Sequence, residues 1–426
     1  MPIKNVVKSL LLTIALLVVS GCSVVRRPVA ATPPPPSPPS LAQNLPLSHT
    51  DVPPAIKGLS QAKLDPVVRV IGKAEAAFHR GEREYSAGHM EAAKEEFNQA
   101  IQGLLQAPES VVADKRLLKK LDYLVARIHA YELEALKQGD GFTEQFYEPA
   151  PLDEMATITI PEDISAAELQ KIAQEDLANT VSDLPLVVNR RVAALIKFFC
   201  CTSRGRKTLE GGLQRSGRYR DMILRILKEE GVPQDLIYLA QAESSFHATA
   251  RSRAAAVGLW QFIRATGKLY GLERTWWVDD RLDPEKATRA AAKHLKDLND
   301  QFGDWYLAMA AYNTGSARVK RAIRRTGSRD FWKLAARRAL FRETRTYVPI
   351  IVALAIINKN PEKYGLGDIL PEPPLAYDTI TVEHPVDLRL VSEIIGSSLK
   401  TIRELNPSLL RMTTPNVPEF NLLIPL

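Results

Sequence analysis

Between Leu64 and Lys137 apolar side chains recur every three or four positions, the period of one buried helix face. In "AFHRGEREYSAGHMEAAKEEFNQAIQGLL" small and aromatic residues fall at the spacing of a pair of antiparallel helices, one tetratricopeptide-like unit. A third helix follows in "RLLKKLDYLVARIHAYELEALK". One unit cannot stack into a solenoid, so the pattern predicts a small helical packing or protein-contact region over 59–147. Acidic, proline-marked sequence forms a connector over 148–186, with a short strand expected in "ATITI". The helical period then resumes with short loops, predicting a helical domain over 187–370. Prolines between 371 and 374 mark a second linker, and residues 375–426 read as strand, two short helices, strand. The expected fold class is mainly α, with a small βααβ module at the C-terminus.

The N-terminus changes this picture. Lys4 and Lys8 precede "LLLTIALLVV", too short to span a bilayer and shaped like a secretory signal. It ends in "VSGC", which resembles a bacterial lipobox: a signal peptide over 1–21 and Cys22 as the lipidated first residue. An ordinary signal with a chance cysteine is the alternative. Acyl chains on Cys22 would anchor the protein at about 0.8 kcal/mol per buried methylene. Ser23 suggests an outer-membrane lipoprotein facing the periplasm. The proline-rich stretch within 22–58, "RRPVAATPPPPSPPS", predicts an extended tether. The remaining cysteines, Cys200 and Cys201, are adjacent, a poor disulfide geometry, and read as buried thiols.

The net charge of +7 is unevenly spread. Residues 190–359 hold 33 Lys and Arg against 16 Asp and Glu, a balance of +17; the remainder, 56−33=23 against 49−16=33, stands at −10. A secreted lipoprotein rarely meets nucleic acid, so an anionic, carboxylate-bearing wall polymer is the expected partner.

Within that basic region one acidic residue stands out. Glu243 closes an apolar run, "DLIYLAQA", that reads as a helix; two serines, small residues, Trp260 and Gln261 follow. A solvated glutamate needs no such company. The chain has no HExxH, CxxC, Walker loop or GxSxG, and its seven histidines are scattered, so no metal or cofactor is implied. Glycosidic cleavage needs an acid to protonate the leaving oxygen, and usually a second carboxylate. A glutamate protonated at neutral pH needs its pKa raised from ~4.3 toward ~6–7. Burial among apolar and neutral polar groups does this, and a nearby arginine undoes it. Leu239, Phe246 and Trp260 can supply apolar walls and Ser244 and Ser245 neutral hydrogen bonds. Arg251 and Arg253 must then point away.

Three segments in order, "AESSFHATARSRAAAVGLWQFIRATG", "AAYNTGSARV" and "RETRTYVPII", with "DDRLDPEKATRAAAKHL" among them, resemble the motifs of family 1 lytic transglycosylases. These are the soluble-lytic-transglycosylase (SLT) domains, related in fold to goose-type lysozyme, and the match runs from about Arg190 to Lys359. The resemblance implies a lysozyme-like helical domain in which Glu243 alone serves as acid and base. It gives a proton to the leaving oxygen, then takes one from the C6 hydroxyl of muramic acid, which closes a 1,6-anhydro ring. The resemblance also places Ser244 near the substrate and Gln261 as a hydrogen-bonding contact on the cleft wall. Tyr312 and Asn313 would stand beside the reacting sugar, and Glu343 and Tyr347 would form the cleft. Trp260 and Tyr312 fit sugar stacking, with core packing as the alternative.

Two departures from that family are visible. Ala255 stands where the family usually has glycine, which would strain the loop if the position has a positive φ. Phe341 stands where proline is common. The C-terminal segment resembles a degenerate lysin-motif (LysM) module: "LNPSL" and "LLIP" match, while "HPVDLR" replaces the expected "GDT". Such modules bind N-acetylglucosamine-containing glycans. The implied partners are therefore peptidoglycan glycan strands, the membrane through Cys22, and a protein at the N-terminal helices. Two rival functions remain at this stage. A lysozyme-type hydrolase would need a second carboxylate, for which Asp279, Asp280 and Glu343 are candidates; a catalytically inactive peptidoglycan-binding scaffold would not need the retained Glu243, Gln261, Tyr312 and Asn313.

Overall fold

The computed structural model describes residues 65–112, 114–137, 147–151, 165–177 and 180–426. The expected signal peptide, Cys22, the proline-rich tether and the "ATITI" strand lie outside these residues.

The described residues begin with four helices: α1 (Pro66–Ser86), α2 (Met90–Leu105), the short α3 (Glu109–Val112) and α4 (Lys115–Lys137). Asp65 starts α1, its carboxylate accepting from Val67 N at 2.9 Å with Pro66 in the first turn. Helices α1 and α2 form the expected hairpin. They approach closely where Gly81 meets the Phe97 ring, since a Cβ at Gly81 would lie 2.5 Å from that ring. Leu117, Leu121, Leu124 and Ile128 of α4 close the same core.

A two-residue strand β1 (Glu148–Pro149) and α5 (Ala166–Leu177) lead into the second, larger core. That core is built by α6 (Arg190–Cys201), α7 (Ser203–Glu229), α8 (Ile237–Ser244), β2 (Ala250–Arg251), α9 (Arg264–Leu269), α10 (Pro284–Phe302), α11 (Trp305–Thr314), α12 (Ser316–Thr326), α13 (Phe331–Ala336) and α14 (Arg342–Lys359). Two of these helices have no polar face. Every residue of α8 is buried, as is α14 from Tyr347 to Ile357, so both run through the interior. Pro349 inside α14 cannot donate to the Arg345 carbonyl four residues back. Arg191 on α6 supplies the missing donor at 3.0 Å, so the buried helix continues through the proline.

Cys200 and Cys201 end α6 as free thiols, and Cys201 is exposed rather than buried as expected. Burial pushes the Cys200 thiol up to about 12, which leaves it protonated and unreactive at neutral pH.

The C-terminal module has the expected order: β3 (Tyr377–Val382), α15 (Leu388–Ile395), α16 (Leu399–Leu405) and β4 (Phe420–Pro425). The strands pair antiparallel, Tyr377 opposite Pro425 through Val382 opposite Phe420. Asn406 of "LNPSL" ties the end of α16 to β4, donating to Leu423 O at 2.7 Å and accepting from Leu423 N at 2.9 Å. Asp387, within the segment replacing "GDT", caps α15 through Arg389 N at 2.8 Å.

The loop before α10 joins all three cores. Trp276 and Trp277 enter the core of the N-terminal helices, and Val278 packs against the C-terminal module. Backbone bonds from Leu410 N to Trp277 O (2.8 Å) and from Asp279 N to Ser408 O (2.9 Å) hold the module in place. A buried ion network runs through the junction. Arg281 and Arg274 pair with Asp279 at 2.6 and 3.2 Å, and Arg274 and Arg411 pair with Glu132 of α4 at 3.1 and 3.4 Å. Arg411 also covers the Trp276 ring at 3.5 Å. Charges this deep are tolerable only as a closed set.

Candidate active site

Glu243 is the penultimate residue of α8 and is only 4% exposed. Tyr347 on α14 donates from its hydroxyl to Glu243 Oε1 at 2.5 Å. Burial, together with the Glu243 charge, holds the Tyr312 and Tyr347 hydroxyls well above the usual phenol range. Both therefore remain protonated at neutral pH. Arg251 covers the Tyr147 ring at 5.1 Å, and Arg253 is exposed.

The chain turns sharply after α8. Ser245, Phe246, Ala255 and Gln261 all have positive φ, at 47°, 62°, 57° and 48°, although none is glycine. Only Arg338 among other described non-glycine residues does the same. Strained backbone gathered around one carboxyl is a site signal that side-chain pattern does not carry. Ala255 thus occupies the positive-φ position whose glycine the sequence lacks. Gly258, at φ 85°, has no room for a side chain, because a Cβ would lie 2.0 Å from Arg281 O. Arg281 reaches into this loop, donating to Phe262 O at 3.1 Å and Ala255 O at 3.4 Å. The loop's shape is therefore tied to the buried ion network. Sequence reasoning gave Arg281 no role.

The residues expected around Glu243 divide into groups. The fully buried Ser244 hydroxyl bridges the Ala240 and Leu259 carbonyls at 3.1 and 2.9 Å and accepts from Phe246 N at 3.1 Å. It clamps the helix end to the loop. Trp260 is likewise core, fully buried with its indole N–H on Thr288 Oγ1 at 2.8 Å, so it has no face for a sugar. Gln261 uses its amide nitrogen on the Ala250 and Gly258 carbonyls, at 3.1 and 2.9 Å, while Oε1 is buried with no partner among the described residues. That oxygen is an acceptor held ready for a donor.

Tyr312 is half-buried, its hydroxyl donating to Trp260 O at 2.8 Å and its ring against His294, with centroids 5.0 Å apart. Asn313 joins α11 to the start of α14: its amide donates to Glu343 Oε1 at 3.0 Å and accepts from Thr344 Oγ1 at 2.8 Å. The three candidate second carboxylates are all engaged. Asp279 is in the ion network, Asp280 pairs with Lys286 at 2.7 Å, and Glu343 holds Asn313. The buried Glu243 carboxyl accepts from the protonated Tyr347 hydroxyl, an arrangement in which it can hand over and take back a proton.

Residues 221–335, which contain Glu243 and the inner helix that carries it, match the Transglycosylase SLT domain family. Residues 376–426 match the LysM-like domain of lytic transglycosylase MltD. Among individual proteins, membrane-bound lytic murein transglycosylase D of Escherichia coli (strain K12) is 36% identical over 208 residues, covering 48% of this chain and 45% of its own length. Peptidoglycan transglycosylase gp16 of Escherichia phage T7 is 41% identical over 104 residues, 24% of this chain and 8% of that protein. The 70 kDa soluble lytic transglycosylase of Escherichia coli aligns in structure at 15% identity with a TM-score of 0.31, over 74% of this chain and 55% of its own. The chain spans about half the length of the first of these relatives.

Proposed function

We propose that the protein is a peptidoglycan lytic transglycosylase, cleaving the MurNAc–GlcNAc β-1,4 bond without water. The observation that carries this reading is the buried carboxyl of Glu243 held against the protonated Tyr347 hydroxyl at the end of an inner helix. Among the described residues, Asp279 and Asp280 are held in ion pairs and Glu343 accepts from Asn313, which favours a reaction carried by one carboxyl.

In the proposed reaction Glu243 protonates the glycosidic oxygen as the C1–O bond breaks. The resulting carboxylate removes the proton from the C6 hydroxyl of the same muramic acid, and the freed oxygen bonds to C1. The proton count closes, no water is consumed, and the product end is a 1,6-anhydro ring. Tyr347 orients Glu243 and stabilises its charged form between the two transfers. Gln261 Oε1 would accept from a sugar hydroxyl or amide. Tyr312, Asn313 and Glu343 would wall the cleft.

The names of the relatives, lytic murein transglycosylases and a peptidoglycan transglycosylase, support the substrate class. The membrane-bound relative supports a place in the cell envelope. No helix among the described residues is long and apolar enough to cross a membrane, and we assign attachment to a lipid on Cys22 of an outer-membrane lipoprotein. The C-terminal module would bind glycan, and the N-terminal helices a protein partner. Mass spectrometry of fragments released from purified sacculi tests the reaction. Ends of 1,6-anhydromuramic acid are expected; reducing muramic acid ends would make the protein a hydrolase.

A further inference from the structure

The outer face of α12 carries an arginine surface that the proposed reaction does not use. Val319 and Ala322 bury one side of this helix, while Arg318, Arg321 and Arg325, three and four residues apart, share an exposed side. The turn between α13 and α14 lies against that side. Arg325 Nη2 donates to Ala339 O at 3.0 Å, Arg337 Nη1 donates to Thr326 O at 3.0 Å, and the Arg318 guanidinium covers the Phe341 ring at 4.9 Å. Exposed Arg337, Arg338 and Arg342 thereby extend the same surface. Carbonyl partners fix these guanidinium groups without neutralising them.

Over 316–342 ten Lys and Arg stand against one acid, Asp330. Among the described residues, its pair with Lys333 at 3.7 Å is the one salt bridge in this stretch. Glu343, which follows, accepts from Asn313. Two features set the surface apart from an ordinary solvated face. Arg338 holds φ 53° just after α13, a conformation that glycine takes freely and a side chain takes at a cost. Phe341 is 60% exposed beside the arginines. Strain kept under a charged side chain and an apolar ring left in water both point to a contact made outside the chain.

We propose that this surface docks on anionic phospholipid headgroups, the arginines meeting phosphates and Phe341 entering the headgroup boundary. Guanidinium groups pair with phosphate oxygens as a fork, and a leaflet repeats its phosphates sideways, matching cations spread over a helix and a turn. An aromatic ring among cations suits a boundary that is wet on one side and apolar on the other. The contact is separate from the acyl chains assigned to Cys22 and adds orientation to tethering. Arg342 directly precedes Glu343, so docking fixes which way that edge of the cleft faces.

The test uses the chain from Cys22 onward, made without its signal and so without acyl chains, which keeps every described residue. Flotation with vesicles of one part phosphatidylglycerol to two parts phosphatidylcholine is compared with phosphatidylcholine alone. Binding is expected to the first and not to the second, falling as salt rises. A cation near an anionic leaflet is worth about fivefold in partitioning, so Arg321→Ala, Arg338→Gly and Arg342→Ala together should weaken binding about a hundredfold. Arg338→Gly alone should raise the thermal midpoint while lowering vesicle binding, opposite signs that a purely structural role would not give. Isolated sacculi carry no phospholipid, so the triple variant should still cleave them. Equal binding of the two vesicle types, or equal binding by the triple variant, would overturn the proposal. So would capture by soluble poly-L-glutamate without capture by vesicles, which makes the partner an acidic protein. Loss of sacculus cleavage in the triple variant would also overturn it, by placing the arginines in the cleft. The ends released from sacculi read the lyase separately: hydrolysed ends with vesicle binding sink only the lyase, and anhydro ends without vesicle binding sink only the docking surface.

Discussion

The Tyr347 hydroxyl reaches Glu243 Oε1 at 2.5 Å across two helices that are buried along their facing lengths. The two residues lie 104 positions apart in sequence. Neither helix has room to turn its residue elsewhere, so the contact is set by the packing of the core. This gives the carboxyl a fixed donor, and it leads to the first prediction.

Glu243→Gln keeps the shape and hydrogen-bonding capacity of the side chain but cannot transfer a proton. Turnover of sacculi should fall at or beyond the top of the ~10²–10⁴-fold range for acid–base catalysis, with binding to sacculi retained. Tyr347→Phe should lower kcat about 10–100-fold, from about 1–3 kcal/mol of lost hydrogen bonding to a charged form. Near-normal turnover in Glu243→Gln would sink the assignment of the site.

Ala255 holds φ 57° without glycine's freedom. Ala255→Gly should relieve about 1–2 kcal/mol of left-handed strain against about 0.5–1 kcal/mol of extra chain entropy. A net gain of about 0.5–1 kcal/mol, read as a raised thermal midpoint, is expected. A lowered midpoint would mean that the loop carries no strain at this residue.

The buried network predicts that the three cores are one cooperative unit. Glu132→Gln leaves Arg274 and Arg411 without their shared carboxylate, a loss of about 3–5 kcal/mol by analogy with broken buried pairs. Denaturant unfolding followed by tryptophan fluorescence would measure it. Deleting the chain after Pro374 should likewise lower stability, because it uncovers Trp276 and removes Arg411. Glycan binding by the C-terminal module is therefore better tested by substitutions on its exposed face than by truncation. A truncated chain with an unchanged midpoint would show that the junction contributes little.

Cys22→Ala should release the protein from membranes into the soluble fraction while isolated sacculi are still cleaved. If the variant pellets with membranes after a salt wash, the attachment lies elsewhere.

Sequence pattern alone was enough for whatever depends on neighbouring residues. The three-to-four period marked the helices from Pro66 to Lys137, and the apolar run "DLIYLAQA" marked α8 and the position of Glu243 at its end. The alternation and turns after Tyr377 marked the βααβ module. These readings succeed because helix and strand periods are local. Tertiary packing decided what each side chain near Glu243 does. A serine beside a catalytic candidate and a tryptophan in a motif look alike in sequence whether they face a ligand or the core. Only the approach of the 257–262 loop made Ser244 a clamp, and only Thr288 on α10 gave the Trp260 indole its partner. The Glu132–Arg274–Asp279–Arg281 chain was invisible for the same reason: its members lie up to 149 positions apart, and a charged residue in a polar stretch gives no sign of burial. Long-range burial decides which charges must be paired, and that requires the folded chain.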